Sequence, residues 1–161
     1  MPDWLTYVAS AAAVYTLLVL AGVCRSRRYL GVAAVGSLLP DIVKIGYVLR
    51  GYAHIDLVSY FIPFHTPVGS VVFALLLSHF FDASERLKIF LYLSLGVSVH
   101  ILWDLTLHPY GGGQLVFFPL SFSQYSMGLF WADSIIPLAI SSSSLAVVSG
   151  LSRRQRAANR E

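Results

Sequence analysis

Apolar residues along this chain come in blocks of roughly twenty, parted by short polar or irregular stretches. A helix crossing the ~30 Å hydrocarbon core of a bilayer needs about 20 such residues in a row. Blocks of that kind lie at 4–24, 29–49, 66–82, 87–107 and 129–150. The pattern predicts an all-α integral membrane protein with about five transmembrane helices, forming one domain over 1–152 ahead of a basic cytoplasmic tail at 153–161. Pro40, Asp41 and Lys44 interrupt the second block, which predicts a kinked or broken span. The third block is short, and its Pro67 suits the first turn of a helix. Between the fourth and fifth blocks, 108–128 reads HPYGGGQLVFFPLSFSQYSMG. That stretch is too rich in Gly, Pro and aromatics to span, and predicts an interfacial or re-entrant loop. Serines 141–144 sit inside the last apolar block, where small hydroxyl residues suit contact between helices.

Composition sharpens the picture. Of 161 residues, 57% are hydrophobic and 12% charged, half the charged share of about 25% usual in soluble domains. Lone Cys24 excludes an internal disulfide and a multi-cysteine metal cluster. No basic segment precedes the first apolar block, so it reads as a retained span and not as a signal peptide.

The net charge is +3, and the basic residues gather at Arg25, Arg27 and Arg28 and in the tail at Arg153, Arg154, Arg156 and Arg160. That clustering points to membrane orientation and away from nucleic acid. The segment DASERLK at 82–88 adds Arg86 and Lys88. With five spans these three segments share one side, and the loops 50–65 and 108–128, with Arg50 alone, share the other. The expectation is a multi-pass protein of the inner or plasma membrane with its N-terminus outside and its C-terminus in the cytoplasm.

Charged side chains at membrane depth cost at least about 2.5–3.5 kcal/mol each, so each calls for a reason. Asp41, Lys44, His79, His100, Asp104 and Asp133 are in this position, with His65 at the mouth of span three. Five spans would carry Asp41, His65, His100 and Asp104 to the outer face from three different helices. His100 and Asp104 are four residues apart and share one helix face. Two imidazoles and two carboxylates make a mixed N/O ligand set suited to a divalent metal such as Zn or Mn. Such an ion offsets the charge of the carboxylates and lowers the pKa of a bound water toward ~7. The bland alternatives are an Asp41–Lys44 pair and a His100–Asp104 hydrogen bond serving only as packing. His79 reads as a local structural histidine, His54 and His108 as solvated loop residues, and Asp133 as a helix cap or a support for the ligands.

GSLLPDIVKI at 36–45, HTPVGS at 65–70 and VHILWDLTLHPYGGGQLVFFPLSF at 99–122 together resemble the membrane-bound metal-dependent hydrolases of the YdjM-like family. The resemblance covers about 30–125 and has all its elements in order. It implies Asp41, His65, His100 and Asp104 as metal ligands and a hydrolytic activity, with no substrate attached. One departure stands out: PDWLTY at 2–7 places Tyr7 where a form of the family carries a His. That departure implies one metal instead of two, weak binding or lost catalysis, or a phenol that donates a hydrogen bond to a ligand or substrate.

The resulting expectation is hydrolysis by a metal-activated water at the extracytoplasmic face. Asp41 or Asp104 would double as general base, and Lys44 would neutralise developing charge on substrate. Glycines 111–113 would let the backbone turn tightly or approach substrate. Expected partners are membrane lipid and an amphiphilic phosphoester or lipid-like ester. The rivals are a non-catalytic scaffold or partner-binding member of the same family and a small transporter.

Overall fold

The computed structural model describes residues 4–24, 26–108, 113–131 and 133–158. Its helices are α1 (Trp4–Leu20), α2 (Leu30–Gly36), α3 (Val43–Ala53), α4 (Val58–Phe61), α5 (Pro67–Ser78), α6 (Arg86–Thr106) and α7 (Ile136–Ala158). Turns of 3-10 helix occupy Leu39–Ile42 and Ile62–His65. A short parallel pair joins β1 (Leu107–His108) to β2 (Phe130–Trp131).

Among the described residues α6 is the one helix long and apolar enough to cross a membrane, and the count rises to three if each of two bent pairs is one span. α1 is apolar but has 17 residues, about 25 Å of helix. α7 is long, but its apolar run carries six serines and gives way to Arg153 and Arg154. The expected break in the second block is present: Pro40 lies in the first turn of a 3-10 segment, and the chain bends by 44° there. The third block differs from expectation in shape. Its helix starts at Pro67, and the preceding Val58–His65 segment meets it at 89°. The corner is local chemistry. Thr66 is extended, as a residue before proline prefers, and its hydroxyl accepts from Gly69 N at 3.1 Å as an N-cap. A Cβ on Gly69 would sit 1.9 Å from Pro63 O, so the turn needs glycine. The fifth helix begins at Ile136 and not near 129, because Phe130 and Trp131 pair with Leu107 and His108. The 108–128 segment forms no helix over its described part.

α6 packs against α2, α5 and α1, and α7 packs on α1. The α2–α6 contact is backbone against backbone. A Cβ on Gly36 would stand 2.3 Å from Leu93 O, and one on Gly96 2.1 Å from Ala33 O. Small residues allow this approach where no hydrophobic force separates helix from lipid. One end of the bundle is charged: Arg27 donates to Ser152, Tyr29 donates to Glu85, and Arg28 and Lys88 pair with Glu85 at 3.9 and 3.3 Å. Leu17, Leu75, Leu76, Leu102 and Ile140 are exposed on four helices, an apolar outer surface of the kind that lipid covers.

Candidate metal centre

Both helix breaks and the end of α6 converge away from the charged end. Asp41 comes from the 3-10 turn after α2, His65 from the residue before the α5 cap, and His100 and Asp104 from the last turns of α6. Asp41, His65 and His100 each offer a ligand atom, and those atoms lie within 4.8 Å of one another. Asp104 joins them: its Oδ2 is 3.0 Å from His65 Nε2 and 3.2 Å from His100 Nε2. His100 Nε2 is 3.9 Å from Asp41 Oδ1. A tetrahedral ion with bonds of about 2.0–2.2 Å sets its ligand atoms about 3.3–3.6 Å apart, so the spacing fits a metal with small adjustment.

The second atom of every ligand is tied outward. His65 Nδ1 is 3.0 Å from Pro40 O, and His100 Nδ1 is 2.6 Å from Ser37 O. A carbonyl only accepts, so both Nδ1 atoms carry a proton and each ring turns its Nε2 inward. Lys44 Nζ donates to Asp41 Oδ2 at 2.5 Å, and the Tyr7 hydroxyl donates to Asp104 Oδ1 at 2.5 Å. What faces inward has no partner. Asp41 Oδ1, His100 Nε2 and Asp104 Oδ2 are buried and without a hydrogen bond. Buried polar atoms left unpaired cost roughly 1–3 kcal/mol each. Two carboxylates against one ammonium also leave a buried negative charge without a counter-charge. A divalent cation would answer both costs, and the residues fit one.

A family model described as YdjM inner membrane protein matches residues 1–159. The chain belongs to the YdjM inner membrane protein family. No curated protein and no solved structure matches it. In this YdjM-family chain, the position singled out as a departure carries a visible role. Tyr7 is fully buried, stacks on the His100 ring with centroids 3.8 Å apart, and fixes Asp104 through its hydroxyl.

Sequence reasoning missed the parts of the site made of backbone or of small residues. Ser37 O and Pro40 O orient the histidines, and the Gly36–Gly96 contact sets Ser37 against α6. The one signal was Gly96 four residues before His100, on the same helix face. Gln114 was also missed. It is buried, donates its amide to His65 O at 2.7 Å, and bridges to Tyr125, tethering the outer loop to the centre. Of the glycines at 111–113, Gly113 packs so closely on Tyr125 that a Cβ would meet its carbonyl at 2.5 Å; Gly111 and Gly112 lie outside the described residues. The remaining polar residues stay apart from the centre. His79 bonds its own helix at Leu75 O, His54 is the exposed left-handed cap of α3, and His108 stacks on Trp131. Asp133 is exposed, and Ser134, not Asp133, accepts from Ile136 N at the start of α7.

Proposed function

We propose that the chain is a membrane-embedded metal-dependent hydrolase. Asp41, His65, His100 and Asp104 would hold one divalent ion, which would supply a water of lowered pKa and a Lewis acid for hydrolysis. The observation that carries this reading is the convergence of buried, unpartnered ligand atoms whose outer atoms are all engaged elsewhere. Four protein ligands close a tetrahedral ion but leave two positions on a six-coordinate one. Manganese therefore suits turnover better than tetrahedral zinc. Asp41 Oδ1 or Asp104 Oδ2 serves as general base, within reach of a proton released between them. Lys44 lies beside Asp41 and meets charge that develops on a substrate oxygen. Tyr7 and the two backbone carbonyls hold the ligands in one orientation, which lowers the reorganisation needed in the reaction.

The same reading places five membrane crossings, with the two bent pairs counting as one span each and α1 and α7 completing the set. The charged end faces the cytoplasm and the metal centre the outer side, with lipid as the surrounding partner. Tyr7 in place of the family's His favours a second reading, a non-catalytic member that keeps the centre as a structural cation site. Elemental analysis of purified protein, beside His100→Ala and Asp104→Ala, tests the centre itself. One equivalent of metal, lost in both variants, supports it. A metal-free wild type after loading, with both variants folded, would sink the hydrolase reading.

A further inference from the structure

We propose that the loaded centre is a binding site for an oxyanion, and that Lys44 is the residue that makes it so. This inference rests on the metal-dependent reading above. It starts from the number of ions. A second metal would need the outer oxygens of the two aspartates as bridges. Asp41 Oδ2 is taken by the Lys44 ammonium and Asp104 Oδ1 by the Tyr7 phenol, each at 2.5 Å. The ammonium has no lone pair to offer a cation, and a phenol that keeps its proton is a poor ligand for one. The centre therefore takes one divalent ion, and Lys44 occupies the place of a second positive charge.

The charge balance follows. One divalent ion cancels the two carboxylates. In the loaded centre both imidazoles are neutral, since Nε2 would bind the ion and only Nδ1, which donates to Pro40 O or Ser37 O, would keep a proton. Lys44 remains as one net positive charge beside the ion, without a counter-charge of its own. A neutral substrate would leave it unbalanced, and an oxyanion would pair with it. Access points the same way. The His100, Asp41 and Asp104 side chains are 0%, 3% and 7% exposed, whereas His65 is 19% and Lys44 28% exposed. Lys44 is thus the part of the centre that an arriving group meets first. Its ammonium lies 5.5 Å from the Trp4 ring, and Trp4 and Tyr47 are exposed beside it in sequence or space, aromatic surroundings typical of the headgroup level. A phosphate or similar oxyanion, free or at the head of a lipid, fits these features.

The test uses the full chain in detergent, loaded with Mn2+, with metal content measured and calorimetric titration of inorganic phosphate, dodecyl phosphate and dodecanol. The expected result is one equivalent of manganese and binding of both phosphates. Lys44→Gln should keep the metal and bind phosphate at least ~10-fold more weakly, the loss of a charged hydrogen bond. Lys44→Arg should bind it within a few-fold of wild type. Tighter binding of dodecyl phosphate than of inorganic phosphate assigns the oxyanion to a lipid, and equal binding to a free anion. Two equivalents of manganese, phosphate affinity unchanged in Lys44→Gln, or dodecanol bound as tightly as dodecyl phosphate would each overturn the inference. The wild-type titration alone decides the last of these, whatever the folding of the variants. Metal binding without phosphate binding overturns this inference and leaves the hydrolase reading standing. No metal binding removes both.

Discussion

Gly96→Ala is a one-carbon change that should damage a metal centre it does not touch. The new Cβ would lie 2.1 Å from Ala33 O and 2.4 Å from Ser37 N, both backbone atoms with no side-chain freedom to yield. Carbon–oxygen contacts normally stay beyond about 3.3 Å, so α2 must back away from α6 by about 1 Å. Ser37 O moves with α2. Its 2.6 Å contact with His100 Nδ1 would open to about 3.6 Å, past the limit of a hydrogen bond. Two effects should follow. Overpacking costs about 1–3 kcal/mol of stability. Loss of the group that orients a ligand histidine costs about 10- to 100-fold in metal affinity. The assays are thermal unfolding in detergent and metal affinity by competition with a chelating dye. Gly31→Ala on α2, the helix that Gly96 meets, is the control, because a Cβ there meets nothing within 4 Å; it should be neutral or stabilising by up to ~1 kcal/mol. A Gly96→Ala protein with wild-type metal affinity would refute the claim that helix approach sets the His100 ring.

Tyr7→Phe keeps the ring stacked on His100 and removes the donor to Asp104 Oδ1; metal affinity should fall about 10-fold or more with the helical circular dichroism unchanged, and an unaltered affinity would show the phenol to be a spacer. At the charged end, the hydrogen bond from Tyr29, helped by Lys88 and Arg28, holds the Glu85 carboxyl below its ordinary range. A depressed carboxyl contributes stability above its unfolded pKa of about 4.3 and loses it as pH falls through the folded value. The melting temperature should therefore drop on acidification below about pH 4.3, and Glu85→Gln should flatten that part of the profile.

The four residues that meet in the candidate centre stood out in the sequence because they are anomalies: Asp41, His65, His100 and Asp104 are costly where apolar residues surround them. The break at Pro40 was legible for the same kind of reason, since a proline within an apolar block has few other uses. The right-angle corner at Thr66 was not, because it depends on a cap and on a glycine contact with Pro63 O that no periodicity encodes. Ser37 and Pro40 act through carbonyls, which every residue has, so their identity gives no sign of the role. Tyr7 reads from the sequence mainly as an absent ligand. Only its packing shows a phenol that orders one ligand by stacking and another by hydrogen bonding. Gln114 is hidden in an irregular loop, where a single polar residue is unremarkable.

The two histidine side chains do more than face inward. Each donates to a carbonyl at or beside a break in a helix, where lipid offers no substitute partner. Removing either ring would leave that acceptor without its donor, at a cost on the order of 1–3 kcal/mol to folding alone. A chain of this architecture that ceased to catalyse would still be penalised for giving up its histidines. The same two rings therefore serve the folding of the chain whether or not it turns over a substrate. Turnover must be read instead from residues whose bonds go to the centre and not to the backbone, and among the described residues Lys44, which donates to the Asp41 carboxylate, is the first to inspect.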